Sequence, residues 1–450
     1  MKVVIVGAGV VGFQIARQLI AEKKDVVLIE KDALVAKHAD NQLDCQVIQG
    51  EGTHLETLEK AGIRSANVFI GVTSLDEVNW IACVLVASEF QVPLKIARVR
   101  NIGYIDSRLR RHRLLGVDYF VNPETEAAKL IADAVAEGAY SDVLPFSQTD
   151  IQMRRYIVGD RSPFRKIKLK QIRAHFKEEF LIAGIFRDGK VFIPSGNDAI
   201  LTDDVLQIVA GRKVQQTLFS RIGVDTRQEI RNILVVGGSR IGILATQQLR
   251  REGRRFKIIE SDYNRCKELT QVFPDSVVVN ADITDESIWD EEHLFDNDLI
   301  LTATDHQELN ILTGAYAKTV GVKKALALVQ KASYMKIAAK IGIDVSVCPK
   351  DCAVDSILKH VRRGHVKSVH TLFEGQAQVI EFLLPEGSRA IHKTVRKLKM
   401  PAGSLILVVI REDGHHIPGG DFVLQPGDTL VVLCTLASIS KIEDLFMGKQ

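Results

Sequence analysis

The sequence has no apolar run approaching the roughly 20 residues needed to span a bilayer. Its longest apolar stretches are of strand length, such as residues 405–410. The N-terminus lacks the layout of a signal peptide and passes directly into a strand at residues 1–6. Cysteine is scarce, six in 450 residues, and the only close pair is Cys348 and Cys352. Their spacing is not CxxC and no second pair matches it, so a zinc site is disfavoured and buried reduced thiols are expected. An excess of one charge is missing as well. With 59 basic and 56 acidic residues the net charge is +3, which gives no electrostatic basis for nucleic-acid or broad membrane binding. These absences point to a cytoplasmic chain that reaches a membrane only by docking on a membrane protein.

What is present suits a multidomain globular protein. Apolar residues make up 46% and charged residues 26%, enough for substantial cores. The length is that of three or four ordinary domains. The whole chain repeats once, at an offset of 230 for the glycine loop and the strand that follows it. The run from Val3 to Gly12 recurs from Ile233 to Gly242, and the strand ending at Glu30 recurs as one ending at Glu260. The match continues from residues 67–73 to 298–304, from 97–100 to 327–330, and from 121–123 to 347–349. In the first copy, short apolar strands begin near Val3, Asp25, Cys45, Asn67, Leu94 and Asp118, separated by helical stretches. That alternation predicts a doubly wound parallel sheet.

The second part of each copy has a different character. Residues 145–225 and 366–450 are rich in short β patterns and turns. Asp188-Gly189 is followed by Ile193-Pro194 and then Asp204, and Asp413-Gly414 by Ile417-Pro418 and then Asp428. The Asp-Gly pairs are hairpin signals. Between the two parts lies an Ala-rich stretch with Pro123 suited to a first helical position and Asn122 to its cap. The predicted organisation is a Rossmann-like domain at 1–122, a connecting helix at 123–144 and a β-rich domain at 145–225. It repeats as 231–348, 349–365 and 366–450. The fold class is α/β: two tandem Rossmann-like doubly wound parallel sheets, each followed by a small α+β domain.

Gly7-Ala8-Gly9-Val10-Val11-Gly12 follows a strand and opens a helix, and Glu30 ends the next strand. In that context GxGxxG is a strong dinucleotide signal. The first glycine permits the tight turn, the second lets a pyrophosphate approach the backbone, and the third allows close helix–strand packing. The helix N-terminus points unpaired amides at the phosphates. Glu30 is placed to accept hydrogen bonds from an adenosine ribose and repels a 2′-phosphate, which favours NAD(H) over NADP(H). ATP, ADP and AMP carry the same adenosine and stay open as ligands. Arg98 and Arg100 end the fifth strand, where the ligand crevice of such sheets lies, and an arginine there reaches a phosphate bidentately. For Arg100 a solvated surface position is an equal alternative. The second loop, Gly237-Gly238-Ser239-Arg240-Ile241-Gly242, is less regular. Ser239 replaces the middle glycine and its Cβ crowds the backbone approach, Glu260 is kept, and Leu328 stands where Arg98 stands in the first copy.

The order of Rossmann-like domain, helix and β domain, twice over, resembles the cytoplasmic potassium-transport regulators built from RCK (also called KTN) domains. In their terms the units are RCK-N and RCK-C. The resemblance covers essentially all of the chain and rests on Gly7 to Gly12, Glu30, Thr73 with Asp76 and Asn79, Ala97 to Arg100, and the Asp-Gly then Ile-Pro pattern. It implies that the glycine loop binds pyrophosphate, with Val10 and Val11 adjacent, and that Glu30 meets the ribose and Arg98 the phosphates. It also implies that Thr73 and Asp76 belong to a loop facing the ligand. The family usually has an Asp after the third strand near the adenine amino group. This chain has Glu51 there in the first copy and Asp282 in the second. The implied function is a non-enzymatic, allosteric regulatory subunit that binds NAD(H), with ATP or ADP as further ligands. Its implied partners are a Trk-type membrane potassium-translocating subunit and further copies of itself in a homotetramer, on the inner face of the plasma membrane.

Two other readings remain at this point. An NAD-dependent oxidoreductase needs an acid–base group beside the nicotinamide. The histidines of the β domains, His175, His392, His415 and His416, lie in polar turns or lysine-rich stretches with no evident carboxylate partner. A ligand sensor for another ion channel or antiporter uses the same chemistry with a different membrane subunit. Glu124, at the start of the connecting helix, reads as an exposed carboxylate favoured by the helix dipole, with a place near a metal at a subunit interface as the weaker alternative.

Overall fold

The computed structural model describes residues 1–101, 103, 116–136, 138–139, 143–146, 149–176, 178–222, 230–362, 366–372 and 376–447. The first copy opens with β1 (Lys2–Val6), α1 (Val10–Ala21), β2 (Asp25–Glu30), β3 (Gln46–Gln49) and β4 (Val68–Gly71). It continues with α2 (Asp76–Glu89), β5 (Leu94–Arg98), β6 (Tyr119–Val121) and the connecting helix α3 (Pro123–Ala136). The six strands form one sheet in the order β3-β2-β1-β4-β5-β6, with every pairing parallel. This is the doubly wound order whose switch point lies between β1 and β4. Strand starts fall within one residue of the sequence expectation because both faces of each central strand are buried, so β1 and β4 are almost wholly non-polar.

Five strands make the antiparallel sheet that follows: β7 (Val143–Pro145), β8 (Ile151–Ile157), β9 (Leu181–Arg187), β10 (Lys190–Phe192) and β11 (Val205–Gly211), in the order β10-β9-β11-β8-β7. The second copy repeats the plan. Its parallel strands are β12 (Asn232–Val236), β13 (Arg255–Glu260), β14 (Val277–Asn280), β15 (Leu299–Thr302), β16 (Lys324–Leu328) and β17 (Val345–Val347). Their order is β14-β13-β12-β15-β16-β17. Helix α4 (Arg240–Arg250) follows β12, and α5 (Pro349–Val361) follows β17. The last sheet comprises β18 (Val366–Leu372), β19 (Ala377–Leu383), β20 (Ser404–Arg411), β21 (Gly414–His416) and β22 (Thr429–Thr435), ordered β18-β19-β22-β20-β21, before the terminal helix α6 (Ile439–Met447). The antiparallel sheets share one topology.

By contacts the chain gathers into two units. One holds both parallel sheets (Met1–Arg17, Asp25–Ser141 and Gln228–Ile357), and the other holds both antiparallel sheets together with Gln18–Lys24. Inside the first unit the connecting helices are exchanged. Ala127, Ala128, Ile131, Ala132 and Val135 of α3 are buried in one core with Ile241, Ala245 and Leu249 of α4 and with the β12–β17 sheet. In return the side chain of Asp351 on α5 is hydrogen-bonded by Gln14 of α1. Pro123 opens α3, and Asn122 caps it by accepting the Thr125 N–H at 2.8 Å. Inside the second unit the two antiparallel sheets share a core. Met153, Ala183 and Val209 of one meet Val379, Val408 and Val431 of the other.

Both β domains are pinned by the same ion pair. Arg187 binds Asp204 bidentately, at 2.6 Å for each contact, and Arg411 binds Asp428 at 2.8 and 2.9 Å. The two aspartates also accept backbone N–H groups, from Leu201 and Gln425, each at 2.7 Å. The sequence pattern ending in Asp204 and Asp428 is therefore a structural staple. The hairpins differ in detail. Asp188 and Gly189, with φ of 51° and 77°, are the turn residues between paired Arg187 and Lys190. In the second copy Arg411 pairs Gly414, so the turn is Glu412-Asp413 and the Asp-Gly signal is displaced by one residue.

Candidate functional site

The first glycine loop behaves as its sequence demands. Gly7 has a φ of +102°, and a Cβ on it would meet the Thr73 nitrogen at 2.9 Å. A Cβ on Gly12 would sit 1.9 Å from the Gly7 carbonyl oxygen. Gly9 has nothing within 4 Å of the place a Cβ would take, so the loop is open on the side where a ligand approaches. The Glu30 carboxylate is fixed from two sides. Its Oε2 accepts the Ala8 N–H at 2.7 Å, and Oε1 accepts the Asp32 N–H at 3.0 Å.

A buried asparagine joins this loop to the phosphate side of the crevice. Asn79 accepts the Thr73 N–H at 2.7 Å and donates to the carbonyls of Thr73 and Arg98 at 3.1 and 2.9 Å. Asn310 repeats these bonds with Thr304 and Leu328 at 3.0, 2.9 and 2.9 Å. Asp76 does not line the crevice. Its carboxylate accepts the amides of Arg100 and Asn101, both at 2.8 Å, so it shapes the segment that carries the arginines.

The structure gathers Gly7, Gly9, Val10, Val11, Glu30, Glu51, Thr73 and Arg98 around one cavity of about 300 Å³. Ala8 and Gly12 stand behind it, one holding Glu30 and the other closing the loop. A second cavity of about 950 Å³ collects Gly237, Gly238, Ser239, Glu260 and Asp282, with Gly242 behind. There Glu260 accepts the Gly238 N–H at 2.5 Å, and Asp282 accepts both the amide and the hydroxyl of Thr284, at 2.9 and 2.8 Å. These bonds hold the Asp282 carboxyl below its usual range. The Ser239 hydroxyl oxygen is turned back onto the helix, where it caps α4 by accepting the Gly242 N–H at 3.3 Å.

Three features were not legible in the sequence. Arg98 and Arg100 line the second cavity as well as the first, so the arginine missing at Leu328 is supplied by the other half. Lys350, in the first turn of α5, lines both cavities. Glu124 is not an exposed helix-start carboxylate. It is partly buried, lines the second cavity and pairs with Arg240 at 3.1 Å. Burial raises its carboxyl group above the usual range in spite of the cations around it. The Arg98 Nε is buried with no hydrogen-bond acceptor among the described residues. Burial and the neighbouring Arg100 both work against its charge. Asp76 and Glu124 support the charge in part, but a buried guanidinium Nε without an acceptor at the carboxyl edge of a parallel sheet still favours an anion there. The residues present thus fit a nucleotide's phosphates.

Cys348 is buried, and both Cys348 and Cys352 are free thiols raised by desolvation above their ordinary range. Among the described residues no helix is long and apolar enough to cross a membrane.

Fold and site together define a protein of the tandem Rossmann class, with two like crevices on one polypeptide. The sequence matches the TrkA-N domain over residues 3–123 and 233–349 and the TrkA-C domain over 153–223 and 379–447. It is 31% identical to Trk system potassium uptake protein TrkA homolog 1 of Methanosarcina mazei, over 99% of this chain and 100% of that protein. It is 32% identical to Trk system potassium uptake protein TrkA of Azorhizobium caulinodans, over 99% and 98%. The chain belongs to the TrkA family of Trk system potassium uptake proteins. Such membership makes it a regulatory component of potassium transport and not an enzyme. The fold is shared with a GsuK channel structure bound to NAD (TM-score 0.55, 17% identity, 100% of this chain and 79% of that one). It is shared also with the GsuK RCK domain (TM-score 0.55, 17% identity, 100% and 95%).

Proposed function

We propose that this chain is a cytoplasmic nucleotide-sensing subunit that gates a membrane potassium-translocating partner of the Trk type. NAD(H) occupies the first crevice, and ATP or ADP are further ligands of the pair. The observation that carries this reading is the convergence of Gly9, Glu30 and Arg98, whose buried Nε has no acceptor among the described residues, on one cavity. The glycine loop and the α1 amides take the pyrophosphate, Glu30 the adenosine ribose, Glu51 the adenine edge, and Arg98 the phosphate charge. The same roles fall to Gly237–Gly242, Glu260 and Asp282 in the second crevice.

A ligand shifts a two-state assembly only by its differential affinity for the two states. A coupling of ~1–3 kcal/mol suffices for regulation. A homotetramer on the inner face of the plasma membrane matches a symmetric membrane partner. The test is to purify the chain with a Trk-type membrane subunit and identify bound small molecules by mass spectrometry. Added NADH, ATP or ADP is then expected to change the hydrodynamic shape of the assembly or its affinity for that subunit. Absence of bound adenine nucleotide together with no response to any of the three would overturn the reading.

A further inference from the structure

The two cavities have three lining residues in common: Arg98, Arg100 and Lys350. All three are cations. The carboxylates near them are already engaged, Asp76 with the amides of Arg100 and Asn101 and Glu124 with Arg240. The buried Nε of Arg98 has no acceptor among the described residues. The second copy has no arginine of its own at the matching strand end, because Leu328 fills that position and lines the cavity. Both crevices therefore draw on one cationic seam, most of which comes from the end of β5.

We propose that the two crevices compete for Arg98, Arg100 and Lys350, so that a nucleotide in one weakens the binding of a nucleotide in the other. The inference rests on the nucleotide reading above and adds a sign and a set of residues to it. A guanidinium turned toward the phosphates of one ligand withdraws its fork from the other, because its bidentate geometry serves one anion at a time. Two polyphosphates on either side of the same cations also repel each other. Both effects have the same sign. The coupling is reciprocal by linkage, so each ligand lowers the affinity of the other by one common factor, about tenfold within the usual range of such couplings. The chain would then report the ratio of two nucleotides and not only the level of either.

The experiment uses the full chain, with NADH and ATP as probes in calorimetry. ATP is titrated into the chain alone and into the chain saturated with NADH, and the order is then reversed. The expected result is a saturable loss of affinity, about tenfold and equal in both directions, with both nucleotides bound at the end. In Arg100→Gln and in Lys350→Gln, each checked for folding by circular dichroism, the factor moves toward one. Equal ATP affinity with and without NADH overturns the proposal and leaves two independent sites. A loss that grows without limit as NADH rises, with a single nucleotide bound at the end, means one common site and also overturns it. A factor unchanged in both variants removes the seam as its cause. Failure of either nucleotide to bind at all refutes the nucleotide reading itself.

Discussion

Glu22, just beyond the end of α1, forms an ion pair with Arg362, 340 residues later, and neither side chain reaches solvent. Lys24 pairs with Glu443 beside it at 2.7 Å, and the Ser440 hydroxyl donates to the Glu22 carbonyl at 2.7 Å. These bonds lie inside the second unit and join Glu22 and Lys24 to the residue after α5 and to α6. Removing one partner leaves an uncompensated buried charge. Glu22→Ala or Arg362→Ala is expected to cost about 3–5 kcal/mol, while the paired change Glu22→Leu with Arg362→Met recovers much of that loss. Thermal unfolding of the three variants measures this. Equal midpoints for all of them and the parent would show that the pair carries no stability.

At the first crevice, Glu30→Ala and Gly9→Asp are expected to abolish NAD(H) binding while the protein stays folded. The space beside Gly9 is free of protein atoms, so an aspartate fits but puts a charge where phosphate approaches. Calorimetry with NADH decides it, and unchanged affinity in both variants would refute the assignment.

Gly12→Ala acts differently from Gly9→Ala. A methyl group 1.9 Å from the Gly7 oxygen forces the backbone to move. That overpacking is expected to cost about 1–3 kcal/mol, with Gly9→Ala close to neutral. Denaturant midpoints of the two variants check the difference.

The Asp204 and Asp428 carboxylates each serve an arginine and a backbone amide. Their side chains have no exposed surface. Asp204→Ala and Asp428→Ala should each destabilise their own β domain by about 3–5 kcal/mol. Limited proteolysis should then cut in the affected domain first, and cutting spread evenly over the chain would refute the role.

Burial pushes the His360 imidazole down to about 4 from its ordinary 6.5, with Lys359 adding to the effect. The folded protein keeps the ring neutral where the unfolded chain binds a proton. The resulting stability is present above pH 6.5 and is lost as pH falls toward 4. His360→Gln is expected to flatten the decline of the unfolding midpoint over that window, and an identical decline in both proteins would exclude the residue.

Much of this architecture was legible because its signals are local. The glycine spacing, Glu30, the strand starts, the Asn122 cap and the Asp188-Gly189 turn each depend on residues close in sequence. The repeat then presents the glycine loop, the acidic strand end and the β-domain pattern twice. What sequence could not show were contacts between segments far apart along the chain. Arg98 and Arg100 reach the second crevice, Lys350 reaches the first, and Glu124 finds Arg240 only because the two halves meet. Read along its own copy alone, Leu328 looked like a lost phosphate partner. The resemblance implies a ligand-facing carboxylate at Asp76, whereas its Oδ2 accepts two backbone amides and the residue lines neither cavity.

The exchange of α3 and α5 means that each molecule carries its own complementary half, joined by peptide bonds. A pair assembled from identical chains must present the same residue at both glycine loops. A fused pair escapes that restriction, so Gly9 and Ser239 coexist in every molecule at a fixed ratio of one to one. The difference between the two glycine loops is thereby written into the covalent chain and does not depend on which subunits happen to meet.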